Sequence, residues 1–318
     1  MVETIPFAKP YFGPHGMFST LICDDKTGRT SNGESVRKFE EQVAKISGAD
    51  YAIACSSCTQ GLIIMLASCG AKGTCLQQSF TWDSTLIAAD SMGHKILPME
   101  VNYDNWSVKH FPMLPGPGYA LAVDTFGVEV NPTSDVPIFF DRAHSFGRKF
   151  KNLGIASVLS FSRSKVITTG EGGVILTNKK NFAEAMEYKR DIMSRMPNWC
   201  ADVGLQNLHY LDDILEWKDS CFLLYKHHFP MFKFQEGDGN HAVIGMLLDS
   251  HEQQKLLLTE LKDEIEFKAY YEPTHIKYHY PKPLPVTEDI ARRIICLPSW
   301  YGVQTSRIIR RIKETLSI

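Results

Sequence analysis

The sequence predicts an α/β protein: a mostly parallel sheet with helices on both faces, followed by a smaller α+β lobe. Three observations lead there. From residue 33 to residue 228, short apolar runs suited to buried strands alternate with helical patterns, and strands joined by crossover helices pair in parallel. The polar, glycine-rich stretches fall between these elements, where loops at a surface or in a site belong. The length of 318 residues exceeds one ordinary core of roughly 100–150 residues, so two packed lobes are expected.

Between Gly33 and Gly48, Val36, Phe39, Val43 and Ile46 recur at spacings of three and four with charges between them, an amphipathic helix with Gly48 as its stop. YAIAC (51–55) suits a buried strand, SSCT a polar turn, and GLIIMLASCG a buried helix ending at Gly70. A strand near Gly73–Gln77, a helix near Trp82–Ser91 and a strand at Lys95–Val101 continue the alternation, with further apolar runs at Tyr119–Val123 and Val136–Phe140. Strands around Leu153–Phe161 and Gly173–Thr177 flank the segment SRSKVITTGEGG. Long helical patterns follow at Asn181–Met196 and Val203–His228, the second with Leu205, Leu208, Leu211, Ile214, Leu215 and Trp217 on one broad apolar face. Beyond Pro230 the pattern changes to a helix near His251–Leu261, a strand near Ile265–Tyr271, the Pro-rich turn YPKPLP and a closing helix from about Thr305. The expected division is 1–228 and 229–318, with no internal repeat and no low-complexity segment.

Composition narrows the function. Hydrophobic residues at 44% and charged residues at 22% exclude a disordered or fibrous chain. A net charge of −2 without a long basic run makes nucleic acid a poor partner. No stretch approaches ~18 apolar residues, and MVETIPFAKPYFG lacks a charged segment followed by an apolar one, so no membrane partner and a cytoplasmic location are expected. The eight cysteines are scattered, and Cys55 and Cys58 form a CxxC with no second pair at zinc-finger spacing. Thiols, and no metal, are expected.

Three segments carry the chemistry, and their residue types suit an aldehyde cofactor bearing a phosphate. Ser56-Ser57-Cys58-Thr59 stands at a strand-to-helix junction, where hydroxyls and unpaired N–H groups at the positive end of a helix bind phosphate; ordinary N-capping by Ser57 or Thr59 is the plainer alternative. In PIFFDRAHSFG an apolar strand ends in Asp141 with His144 three residues on, at the sheet edge where α/β ligand sites form. A carboxylate there can pair with a protonated pyridine nitrogen, although Asp141 as a turn cap and His144 as a satisfied histidine would need no ligand. Lys165, in a glycine-bounded loop between two buried strands, can lose proton affinity by desolvation and attack an aldehyde as a Schiff-base lysine.

The order of phosphate turn, aromatic, strand-end Asp, then Ser and Lys resembles the DegT-type nucleotide-sugar aminotransferases, pyridoxal-phosphate enzymes of fold type I. The resemblance runs from IPFAKPYFG through SNGESVRKFEEQVAKISGADYAIACSSCTQGL, SFTWDSTLIAADSMGHKILPMEV and DRAHSFG to SFSRSKVITTGEGGVILTN, and resumes at ICLPSWYGV. It implies a three-layer α/β/α large domain, pyridoxal 5'-phosphate as cofactor and a homodimer with shared sites. It also implies that Lys165 holds the cofactor covalently and moves the proton, Asp141 partners the ring nitrogen, and His144 lies near the ring hydroxyl. By the same resemblance Trp82 stacks on the ring, Cys58, Thr59 and Ser160 hold the phosphate, and Asn198 reaches a phosphate across the dimer interface.

Departures from the family pattern bear on substrate. Cys58 replaces a glycine, which requires a backbone without positive φ; Ser162 and Arg163 replace a His or Tyr and a small residue, Val166 a frequent Asn, and Cys200 an arginine, and the region between about 196 and 275 is short. The expected reaction transfers an amino group from an L-amino acid, glutamate first, to a nucleotide-linked keto sugar. The form KVITTGEGG resembles the branch acting at C4 of 4-keto-6-deoxyhexoses. The rivals are another pyridoxal-phosphate reaction in the same pocket (keto-cyclitol amination, dehydration or decarboxylation) and a noncatalytic binding subunit.

Overall fold

The structure is a computed structural model and describes residues 30–318. The opening IPFAKPYFG of the resemblance and Cys23 lie outside the described residues. Helix α1 (Glu34–Ser47) buries Val36, Phe39 and Val43 and ends at Gly48 in the left-handed region, φ 71°, ψ 30°, as the spacing predicts. It leads into β1 (Tyr51–Cys55), α2 (Cys58–Ser68), β2 (Thr74–Gln78), α3 (Asp83–Asp90) and β3 (Lys95–Met99). A two-stranded ribbon of β4 (His110–Phe111) and β6 (Thr133–Ser134) brackets β5 (Gly118–Val123), and β7 (Ile138–Asp141), β8 (Ser157–Ser160) and β9 (Gly173–Thr177) complete the main sheet.

That sheet has seven strands in the order β1-β9-β8-β7-β5-β2-β3. The pairs β2·β3, β2·β5, β5·β7 and β7·β8 are parallel, and β9 alone runs antiparallel to both neighbours. Apolar cores lie on both faces, which is why these strands read as continuous apolar runs. One core gathers Ile53, Leu62, Leu66 and Ile175 with α2 and α3, and another gathers Phe39, Leu159, Phe161 and Leu176 with α1. The carboxyl ends of the parallel strands therefore share one edge, where Asp141 of β7 and Ser160 of β8 sit.

Helix α4 (Lys180–Met193) is followed by α5 (Asn198–Leu208) and α6 (Leu211–His228). The predicted single helix at Val203–His228 is thus two helices broken at His209-Tyr210. Leu211 and Ile214 at one end of α6 join the core under β8, while Cys221 and Tyr225 at the other end join a core of Phe232, Ile244, Met246 and Ile308. This second core covers a three-stranded sheet of β10 (Lys233–Phe234), β11 (Ile244–Leu247) and β12 (Ile294–Leu297), flanked by α7 (His251–Glu260), α8 (Thr274–Lys277), α9 (Pro285–Arg293) and α10 (Thr305–Leu316). Part of YPKPLP opens α9, with Pro285 at its first turn, where a missing N–H costs nothing.

The strand expected near Ile265–Tyr271 is absent. The stretch makes isolated bridges in place of a ladder, Lys268 to Cys296 among them, after which the chain leaves the small sheet and turns Tyr271 against Phe80 and Phe126. Its β-rich composition serves packing of aromatic rings rather than a ladder. Among the described residues no helix is long and apolar enough to cross a membrane.

Candidate active site

A cavity of about 270 Å³ opens at the carboxyl edge of the main sheet. Its wall is built from successive strand ends: Ser57, Cys58 and Thr59 after β1, Thr81, Trp82 and Ser84 after β2, Val123 and Asp124 after β5, and Asp141 and His144 after β7. Ser160, Ser162, Ser164, Lys165 and Glu171 come from β8 and its loop, and Tyr270 and Tyr271 close the far side. Ligand sites form at this edge because crossovers leave a crevice there.

Each part is held by local bonding. Ser57 caps α2, its Oγ accepting from Gln60 N at 3.2 Å, which leaves the first-turn N–H groups of α2 directed at the cavity end. Cys58 is in the first helical turn and is not among the residues with positive φ, so the replacement of a glycine here is conformationally harmless. Beneath the turn, Gly173 opens β9. A Cβ on it would stand 2.6 Å from Ser57 C and O and 2.7 Å from Cys58 N, all backbone. Gly173→Ala is therefore expected to displace the turn and cost about 1–3 kcal/mol of stability, read as a lowered urea midpoint at unchanged slope.

The Lys165 loop folds around Phe161. Thr169 N donates to Phe161 O at 2.9 Å, as does Thr168 Oγ1 at 3.0 Å, and Phe161 N donates to Gly172 O at 2.9 Å. Lys165 N donates to Ser162 O at 3.1 Å, and Asn207 Nδ2 from α5 donates to Thr168 O at 2.8 Å. This lattice presents the lysine side chain to the cavity instead of to solvent.

Burial sets the charges. Desolvation pushes the Asp141 carboxyl up to about 6, against the Ala143 N–H at 3.0 Å and the positive charge of Lys165, which favour ionisation. Desolvation lowers the Lys165 amine, partly opposed by Cys58, Asp141 and Glu171. His144 is pushed well below its ordinary value by burial and then by the Lys165 charge, so its ring is neutral. The Cys58 thiol is raised well above its usual value by burial, so it is no thiolate nucleophile. Ser160 Oγ lies 3.4 Å from Ser162 Oγ and 3.5 Å from Ser162 N, both at the long limit of a hydrogen bond. The seven cysteines among the described residues are thiols, and no group of three metal-ligating side chains occurs among those residues.

Of the residues singled out in the sequence, Cys58, Thr59, Trp82, Asp141, His144, Ser160 and Lys165 line this cavity. Trp82 stands at its rim, 60% exposed, with the Tyr270 ring 6.4 Å away at 86°. Asn198 does not line it. It opens α5, where Oδ1 accepts from Gly33 N at 2.8 Å and so holds the start of α1 within its own chain. Sequence reasoning missed Asp124, Glu171, Tyr270 and Tyr271. Asp124 ends an apolar run just as Asp141 does and could have been found by that signal; the tyrosines read as strand.

A description of the DegT/DnrJ/EryC1/StrS aminotransferase family matches this chain over residues 21–111 and 128–316. The chain belongs to that family. It is accordingly an enzyme, and aminotransferases of the DegT family depend on pyridoxal phosphate. GDP-perosamine synthase of Escherichia coli O157:H7 is 25% identical over 330 residues, covering 90% of this chain and 91% of that protein. Two solved structures share the fold. DesI, crystallised in the presence of its TDP-sugar product, is 23% identical with a TM-score of 0.80 over 90% of this chain and 85% of that chain. Spr1654 of Streptococcus pneumoniae in its PLP-form is 15% identical with a TM-score of 0.83 over 99% of each chain. The DegT-type sheet places the departures Ser162 and Cys58 on the cavity wall, and Arg163 is exposed between Ser162 and Ser164.

Proposed function

We propose that this protein is a pyridoxal 5'-phosphate aminotransferase that moves an amino group from an L-amino acid, glutamate first, to a nucleotide-linked 4-keto-6-deoxyhexose. The observation that carries the reading is the convergence of Lys165 and Asp141, from separate strand ends, on one cavity that also holds the N-terminus of α2. The donor set suits the cofactor: an amine for an aldehyde, a buried carboxylate for a pyridinium nitrogen, and hydroxyls with helix N–H groups for a phosphate. When bound, the cofactor supplies the electron sink that makes a hydrogen on the amino-bearing carbon acidic.

The chain's own residues do the rest. Asp141 would keep a proton on the ring nitrogen through its negative charge. Lys165, its proton affinity lowered by burial, would hold the cofactor's aldehyde through its amine and, once released by the amino donor, would carry the proton at the substrate carbon. Ser160, Thr59 and the α2 N-terminus would hold the phosphate, Trp82 would cover the ring, and neutral His144 would stand by it without adding charge. Residues 1–228 and 229–318 serve as the cofactor lobe and the small lobe.

A homodimer in the cytoplasm fits this reading. Ile192 and Met193 at the end of α4 are 68% and 51% exposed, and Trp199, 41% exposed, lies against Gly170 of the lysine loop, apolar surface that a second copy could cover. Across such an interface Asn198 would approach a partner's phosphate. The acceptor class is supported by the name of GDP-perosamine synthase and by the TDP-sugar product of DesI.

The purified protein is expected to show visible absorbance that borohydride bleaches and that glutamate alone converts to a pyridoxamine spectrum. A panel of donors against nucleotide-linked keto sugars, scored by product mass, then identifies the pair. Absence of that conversion with every common amino acid removes the aminotransferase reading of this site.

A further inference from the structure

A cation at the mouth of the cavity is left without a counter-ion. Lys165 N donates to Ser162 O at 3.1 Å, which closes a turn with Arg163 and Ser164 at its corner. Ser162, Ser164 and Lys165 line the cavity, while Arg163 between them is exposed. Among the described residues its guanidinium has no hydrogen bond and no ion pair. Burial pushes the Tyr270 phenol up to about 12 and the Arg163 charge opposes that rise, so the guanidinium lies within electrostatic reach of the far wall. Lys277 reaches the same rim, but it is paired with Asp83, the residue between the wall residues Trp82 and Ser84.

The wall itself does not attract anions. Among the described residues it carries the carboxyls of Asp124, Asp141 and Glu171 against one amine, Lys165, which the aldehyde occupies. His144 is neutral. Size acts in the same direction. Pockets that enclose a drug-sized ligand begin near about 300 Å³, and this one has about 270 Å³, room for a cofactor and a reacting ring but not for a nucleotide as well. In a nucleotide-linked 4-keto sugar the diphosphate is attached at C1, across the ring from the keto carbon, so it emerges at the mouth when that carbon stands beside Lys165. The α-carboxylate of an amino donor is bonded to the reacting carbon and stays inside. We propose that Arg163 binds the diphosphate of the nucleotide-linked acceptor at this mouth, through the paired contacts that a guanidinium makes with phosphate oxygens. The inference rests on the acceptor class proposed above.

Arg163→Ala and Arg163→Lys test it in the purified full chain with pyridoxal phosphate added. Arg163 is a surface side chain, so both variants should keep the thermal midpoint of wild type. The probes are the diphosphates of guanosine, thymidine, uridine, cytidine and adenosine, each titrated calorimetrically beside its nucleoside. Wild type should bind one diphosphate more tightly than its nucleoside, with an affinity that falls as salt rises. Arg163→Ala should bind that diphosphate about 10- to 100-fold more weakly, the scale of a lost charge-assisted hydrogen bond. Its salt dependence should be flatter and its nucleoside affinity unchanged, with Arg163→Lys falling between the two proteins. In turnover, KM for the nucleotide-linked acceptor should rise by the same factor while kcat and the donor KM hold. Equal diphosphate affinity in Arg163→Ala and wild type overturns the proposal, as does a wild type that prefers none of the diphosphates to its nucleoside. A rise in donor KM alone would give the guanidinium to the donor's carboxylate and overturn it too. If no amino acid converts the wild type to a pyridoxamine spectrum, the aminotransferase reading fails, while the diphosphate titration, which requires no turnover, still decides Arg163.

Discussion

Lys165→Ala should reduce turnover by about 10⁴-fold or more, because one side chain both joins the cofactor and relays the proton, and loss of general acid–base catalysis alone costs up to about that factor. Burial is what suits it to the task, since desolvation lowers its proton affinity and leaves more of the free amine at neutral pH. A rival amine exists. Lys218 is also buried, and desolvation brings it down to about 8. On proton affinity alone it would serve, and geometry excludes it. Its Nζ donates to Ala242 O at 3.1 Å and to Ser299 Oγ at 3.2 Å and does not line the cavity, so it ties α6 to the small sheet instead. Borohydride reduction of the wild type followed by peptide mass analysis should place the cofactor on the Lys165 peptide, and Lys165→Ala should carry none. A label on Lys218, or an alanine variant retaining a tenth of the activity, would displace the assignment.

The main sheet was legible because its strands are buried on both faces, and such strands write themselves as uninterrupted apolar runs: YAIAC, IFFD and GVILT. The strand-end Asp141 and the glycine-bounded lysine loop follow from that frame, since topology alone brings strand ends to one edge. What was not legible depends on side chains reaching across it. The tyrosines at 270 and 271 lie in a stretch whose β-branched and aromatic composition suits a strand, and only the ring contacts with Phe80 and Phe126 reveal why they are there. The break at His209-Tyr210 was hidden because α5 and α6 both present apolar residues to the same core, so the periodicity runs through the interruption. Asn198 shows the converse. The resemblance assigns it a phosphate contact across a dimer interface, and within its own chain its Oδ1 also accepts from Gly33 N, a bond 165 residues away in sequence that no local pattern encodes.

Asp141→Asn separates stability from function in opposite directions. Desolvation holds the folded carboxyl at about 6, above its ordinary value of 3.8. Above pH 6 the cofactor-free protein must therefore keep a charge buried that the unfolded chain keeps in water, and the difference of about 2 pK units corresponds to roughly 3 kcal/mol. That penalty fades as pH falls from 6 towards 4, where both states become protonated. Asparagine retains the shape, and its side-chain oxygen can still accept from Ala143 N. Cofactor-free Asp141→Asn should thus unfold at higher denaturant than wild type at pH 7.5, with the advantage shrinking by pH 5. The same variant should lose about 10³-fold in kcat, the scale of removing one preorganised electrostatic partner, since no anion then holds the ring proton. A variant that is less stable than wild type at pH 7.5 would overturn the burial penalty on Asp141, and one that turns over at more than a tenth of the wild-type rate would show that the acid beside Lys165 is not the partner of the ring nitrogen.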